Sequence, residues 1–426
     1  MNETSAVRSE LVDGRARSPG AAVLILAKRL IQSPALQSAA LMALGGVGFA
    51  VGNLLLASHL PAEQFGLVSL MLSVIQVGGA LCVPGLPTII NRHHLAVNRA
   101  IVLCWIVGAV VAGAASIAFV SSLRAAPAVL LGVLALTVAM AGMGRILAAV
   151  LQSHHRLRSS LVLAQGHNWL LLLSVAAAFV IPGFANALAV IAVLLGGYMI
   201  SAAWGYWATR RLHHDSRGLP FTSWWVEGAS AAGVMLASNL LFQLDRLLIG
   251  SLLSIHELAT YSAVAAVTGS AFRMLQTGAG HSLLPRLRAC ATRSNAVSLL
   301  KKETAVLMAA SVATAVMIVI AWPLVATHVL HGKYHVSAIL IGIIVASGFV
   351  RVLEATGGAT VSAIGNAREL VLLNWLGWLT VAVSIVGGYL LRRFGLMGVV
   401  GALGLGWTVS AVGSWALTVS ALRRLT

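Results

Sequence analysis

Twelve times between residues 37 and 420 the chain runs for about 20 residues with almost no charge, each run long enough to cross a hydrocarbon core of roughly 30 Å. The runs lie near 37–57, 66–90, 100–122, 126–150, 161–182, 186–208, 228–253, 258–283, 304–328, 336–357, 370–391 and 396–420. Backbone amides in hydrocarbon find no water, so a spanning segment must satisfy them internally, as a helix does. The predicted fold is an all-α polytopic membrane protein with 12 transmembrane helices. Composition agrees: 59% of the 426 residues are hydrophobic and 9% are charged, outside the balance of a soluble domain.

A net charge of +17 raises the question of a nucleic-acid partner, and the distribution of the charge answers it. Of the 28 Lys and Arg, 20 fall in the N-terminal tail, the C-terminus and the loops on the same side as the termini. The opposite loops hold only Arg124, Lys333, Arg392 and Arg393. This bias puts both termini in the cytoplasm and makes the basic loops topology signals and contacts for membrane lipids, with no nucleic acid as partner. The apolar stretch 21–26 is too short for a signal-peptide core, so residues 1–36 read as a cytoplasmic tail ending in a surface helix. Cys82, Cys104 and Cys290 show no metal spacing. No Walker motif, nucleophile elbow or metal-ligand cluster occurs, so neither an enzyme nor a cofactor is expected.

The chain also repeats itself. A shift of 193 lays NLLLASHLPAEQFGLVS (53–69) over RLLIGSLLSIHELATYS (246–262). A shift of 206 lays RILAAV, from Arg145, over RVLEAT, from Arg351, and NWLLLLSVA, from Asn168, over NWLGWLTVA, from Asn374. The 13-residue difference is expected between the eighth and tenth runs, where the basic loop 286–302 lies. Two pseudo-symmetric six-helix lobes follow, 37–208 and 226–426, joined by a cytoplasmic linker at 209–225. Such a duplication suggests an alternating-access transporter with its site between the lobes.

Four arginines interrupt the apolar runs: Arg145, Arg246, Arg273 and Arg351. Each charge at mid-bilayer costs about 2.5–3.5 kcal/mol on insertion scales, so such groups normally face a partner or a wet cavity. Asp245 and Glu354 are the acids well inside these runs, which leaves the interior net cationic. Asn239, Gln243, Arg246 and Gly250 fall on one helical stripe, as do Gly269, Arg273, Gln276 and Gly280; Ser69, Ser73 and Gln76 form another, and Ser347, Arg351 and Glu354 a fourth. These stripes are expected to share a hydrated cavity. Guanidinium groups there suit phosphate, through paired charge-assisted hydrogen bonds, and amides suit sugar hydroxyls.

Structural roles compete with binding. Arg351 and Glu354 are spaced to neutralise each other on one helix. Asp245 and Arg246 diverge by roughly 100°, so Asp245 is expected to pair with an arginine of another span, such as Arg273. Arg145 lies roughly 7 Å from the inner end of its span, close enough to snorkel. Arg246 and Arg273 reach neither interface easily and are the strongest ligand candidates.

Four segments carry a family likeness: LPAEQFGLVSL (60–70), FQLDRLLIGSLLSIHELATYS (242–262), SLLPRL (282–287) and FGLMGVVGA (394–402). The chain from about Gln37 onward resembles the polysaccharide and O-antigen (Wzx-type) flippases of the multidrug/oligosaccharidyl-lipid/polysaccharide exporter superfamily. The resemblance implies a MATE-like pair of lobes and movement of an undecaprenyl-diphosphate-linked oligosaccharide between leaflets of the bacterial inner membrane, with cavity arginines engaging the diphosphate. It also implies a polysaccharide polymerase and a chain-length regulator as partners. A MATE-type multidrug/cation antiporter is the alternative; the only acids before residue 210 are Glu3, Glu10, Asp13 and Glu63, none within a span, although Asp245 keeps a cation site open in the second lobe. Peptidoglycan-precursor flippases usually carry two further C-terminal spans, and a non-transporting assembly scaffold would not require the cationic stripe.

Overall fold

A computed structural model describes residues 34–425 except 96, 155, 182, 211, 213–220 and 291. The readings of a surface helix within the N-terminal tail and of most of the linker lie outside the described residues. Among those described there is no strand. The helices are α1 (Pro34–His59), α2 (Ala62–Leu81), α3 (Leu86–His93), α4 (Arg99–Leu123), α5 (Ala128–Ser153), α6 (Leu157–Val180), α7 (Ala187–Thr209), α8 (Phe221–Leu252), α9 (Ile255–Arg288), α10 (Arg293–Leu324), α11 (Ala338–Ile364), α12 (Ala367–Leu391) and α13 (Gly395–Arg424). All but α3 are long, and each long helix lies on one of the apolar runs, α2 on only the first part of 66–90.

Nine stretches among the described residues are long and apolar enough to cross a membrane, and the last, Ala367–Arg424, takes in both α12 and α13. The apolar part of α1, Leu44–His59, is shorter. The remaining helix, α9, is long but diluted by its polar stripe.

Polar residues at the turns start the helices. Asn98, Asn186 and Ser337 each accept a hydrogen bond from the backbone N–H three residues on, satisfying an end donor of α4, α7 and α11. Asn366 and Glu369 form a reciprocal capping box on α12. Glu369 also accepts from Ser420 and Arg424 of α13, so one buried acid fastens the ends of two helices.

The window at 66–90 breaks where a continuous span was expected. Pro84 disfavours helix at the residue before it, and Gly85 follows in the left-handed region at φ 72°. A Cβ at Gly85 would stand 2.2 Å from the Gly228 carbonyl oxygen of α8, so the chain can turn into α3 only with glycine there. Most of the 13 extra residues of the second half lie between the eighth and tenth runs, as predicted. Arg293–Val329, which is α10 continued through a π-helical turn after Pro323, runs 37 residues against 25 for α4.

The packing repeats with the sequence. In the first lobe α5 touches α2, α4, α6 and α7, α1 packs on α6, and α6 on α7. In the second, α11 touches α9, α10, α12 and α13, α8 packs on α12, and α12 on α13, which is the same set of neighbours one lobe later. Small residues permit the closest approaches, as α2 meets α5 at Gly79 and Ala141, and α12 meets α13 at Ser384 and Gly406. The lobes meet along α1 and α2 of the first and α8 and α9 of the second.

Candidate functional site

The charged stripes converge on this seam. Asp245 of α8 is 6% exposed and is the hub. Its Oδ2 accepts from the Tyr261 hydroxyl of α9 at 2.6 Å and faces Arg351 Nη2 of α11 at 4.0 Å; its Oδ1 accepts from the Arg246 N–H at 2.9 Å. Arg246 is the neighbour of Asp245 in the chain, and Arg273 of α9 reaches α8 about one turn away, at the Phe242 carbonyl, 2.9 Å. One acid thus stands among three arginines, and Arg351 lies 13 residues, about 20 Å, from either end of α11.

Aromatic faces take the place of further counter-ions. The Arg246 guanidinium carbon lies 5.2 Å from the Phe49 ring of α1 across the seam, that of Arg351 5.0 Å from Trp407 of α13, and that of Arg273 5.4 Å from Phe242. Such contacts attract a cation through the ring quadrupole without neutralising it. Arg351 Nε and Ser347 Oγ, one turn apart on α11, are buried without a hydrogen-bond partner. Buried orphan donors are rare, and a ligand is one explanation for them.

A second cluster ties the lobes together. Arg145 Nη2 of α5 donates to the Gln76 carbonyl at 3.1 Å and to Asn239 Oδ1 of α8 at 3.1 Å, with the Gln76 side-chain oxygen at 3.4 Å. Arg145, Gln76 and Asn239, read separately from the sequence, therefore come together. His167 of α6 and Tyr198 of α7 stack with ring centroids 6.1 Å apart.

Several expectations are corrected. Asp245 pairs with Arg351, not Arg273, which instead donates to the Phe242 carbonyl at 2.9 Å. Arg351 and Glu354 do not pair; the ion pair of Arg351 is with Asp245. Arg145 does not snorkel, because the seam offers it three oxygen acceptors. The stripes are only partly exposed: Gln76, Arg145, Asn239, Arg273, Arg351 and Glu354 are half-buried and the other polar members are deeper. Gln243, Arg246 and Gln276 are at most 8% exposed, and Ser73 bonds back to the Ser69 carbonyl of its own helix. Cavities of about 450 and 580 Å³ lie elsewhere, beside Lys301 and Trp415 and beside His331 and His335. The sequence reading missed Tyr261, Phe49 and Trp407. Tyr261 had a signal, since it lies with Asp245 in the quoted segment 242–262; the two aromatic rings look like ordinary core residues.

Two six-helix lobes thus meet along a polar seam. No protein-family profile matches the sequence, and no curated protein matches it. Solved structures do. An inward-facing multidrug resistance MATE family transporter of the MOP superfamily is 14% identical over 89% of this chain and 96% of its own, with a TM-score of 0.65. The lipid II flippase MurJ, in an inward closed conformation, is 10% identical over 89% of this chain and 86% of its own, at 0.71. A point mutant of the Vibrio cholerae MATE transporter VcmN is 15% identical over 91% and 96%, at 0.55. The chain has the fold of these MOP-superfamily transporters and flippases.

Proposed function

We propose that this protein is a flippase for an undecaprenyl-diphosphate-linked oligosaccharide, moving it from the cytoplasmic to the periplasmic leaflet of a bacterial inner membrane for surface polysaccharide synthesis. The observation that carries the reading is the imbalance at the seam, where Arg246, Arg273 and Arg351 gather within about a helical turn of Asp245. A diphosphate would supply the missing negative charge and take up the unpartnered Arg351 Nε and Ser347 Oγ. Arg145, Asn239 and Gln76, with Gln243 and Gln276, offer amides and a cation for sugar hydroxyls or acidic sugars. The bias of basic residues orients both termini and the α3 end toward the cytoplasm. An inside-negative potential then favours outward passage of an anionic headgroup by about 2.3 kcal/mol per charge per 100 mV.

A cation antiporter is the second reading, favoured by two acids well inside the spans of the second lobe, Asp245 and Glu354. Equilibrium binding separates the two. Purified protein in detergent is expected to bind a polyprenyl diphosphate, and Arg246→Ala with Arg273→Ala to weaken that binding by roughly tenfold or more. Binding of a lipophilic cation in competition with protons, with none of the diphosphate, would favour the antiporter.

A further inference from the structure

The end of the bundle away from Pro34 and Arg424 holds few basic residues, and two of them cross the seam. Lys333, in the α10–α11 turn of the second lobe, donates through Nζ to the Ala57 carbonyl at 3.0 Å and to that of Leu60, at the C-terminal end of α1 in the first. Arg124, in the α4–α5 turn of the first lobe, donates to the Leu253 carbonyl at 3.3 Å, at the C-terminal end of α8 in the second. The two turns occupy equivalent places in the duplication, and the shift of 193 that aligns the halves lays Leu60 on Leu253. Each lobe thus sets a cation on the same helix end of the other. Arg392 and Arg393, at the same end, stack on Tyr389 and Phe394 of their own lobe.

Helix ends are natural seats for cations, because their last carbonyls lack intrahelical donors and carry the negative pole of the macrodipole. At α1 the vacancy is written in the sequence. The Ala57 carbonyl would ordinarily accept from the N–H four residues on, but that residue is Pro61, which has none. Lys333 fills the place, and the buried Tyr334 hydroxyl donates to the same oxygen at 3.2 Å. Beneath the pair the seam is tight: a Cβ on Gly66 of α2 would stand 2.4 Å from the Ile255 carbonyl of α9.

We infer that Arg124 and Lys333 are a pseudo-symmetric pair of latches that hold this end of the molecule shut, and that both must release for the lobes to part there. The inference rests on the alternating-access reading and not on the identity of the cargo. The test is a distance measurement between spin labels on the exposed residues Ser122 and His335, one per lobe, in a background freed of native cysteines and reconstituted without substrate. The unaltered latches are expected to give a narrow, short distribution. Lys333→Met and Arg124→Gln are each expected to raise the ratio of parted to closed lobes by roughly tenfold or more, the weight of a charged hydrogen bond, and together by more than either. Lys333→Arg, which keeps the donor, is expected to retain the short distance. Pro61→Ala, which returns an N–H to the Ala57 carbonyl without touching a latch residue, is expected to loosen the lobes in the same direction. Distributions that stay short in both latch variants and in Pro61→Ala would overturn the inference. Because no cargo is present, parted lobes in a protein that fails to move a lipid-linked glycan would sink the flippase reading and leave the latch standing.

Discussion

Asp245 is shared among more partners than one carboxylate can satisfy equally, and that sharing keeps the arginines poised. Two of its contacts come from α9 and α11, so loss of the carboxylate strands Arg351 in the seam. Removing one member of a buried ion pair typically costs about 3–5 kcal/mol. Asp245→Asn is therefore expected to lower thermal stability markedly in detergent, and Asp245→Asn with Arg351→Gln to recover most of the loss; equal melting of the two variants would contradict the pairing. Tyr261→Phe removes only the 2.6 Å hydrogen bond to Asp245. It is expected to slow transport by about tenfold while the protein remains folded, because a bond to a charged group is worth roughly 1.5–3 kcal/mol. The sequence makes the charges of this site legible but not their pairing. Helical spacing locates a side chain around its own axis and says nothing about which foreign helix faces it, and for that reason spacing alone matches Arg351 with Glu354 and Asp245 with Arg273. The aromatic partners are hidden for another reason: Phe49 and Trp407 have the same composition signature whether they fill a core or lie under a guanidinium.

At the level of elements, the apolar runs locate every long helix, since hydrocarbon leaves the backbone no alternative to internal hydrogen bonding. The exceptions have local causes. The break at 82–85 follows from Pro84 and Gly85, and the longer α10 from a polar first stretch, Arg293 to Glu303, that hydropathy does not register as helix. Small residues set how closely the helices approach, and α13 offers a contrast within one helix. A Cβ on Gly406 would stand 2.1 Å from Ser384 Oγ, whereas one on Gly401 meets nothing within 4 Å. Gly406→Val is expected to destabilise the second lobe by about 1–3 kcal/mol through overpacking. Gly401→Ala is expected to be neutral or slightly stabilising, since it removes a mid-helix glycine. A thermal-shift series in detergent checks both.

For the whole molecule, the duplication is the most informative pattern in the sequence. It predicts two lobes, and the neighbour sets around α5 and α11 reproduce it. It does not reveal whether the seam is open or closed, because burial of Gln243, Arg246 and Gln276 depends on how the lobes are docked and not on which residues they carry. The orientation proposed from the distribution of Lys and Arg has its own check: in intact cells a cysteine at Ser122 is expected to react with an impermeant maleimide, and one at Arg293 is not. The central claim is that the cationic seam carries a diphosphate-linked glycan across the bilayer. Its most direct test is transport by purified protein in liposomes, read as appearance of a polyprenyl-diphosphate oligosaccharide in the opposite leaflet, for the wild type and for Arg246→Ala with Arg273→Ala. Movement by the wild type alone is the predicted result; no movement by the wild type, together with proton-driven efflux of a cationic dye, would contradict it.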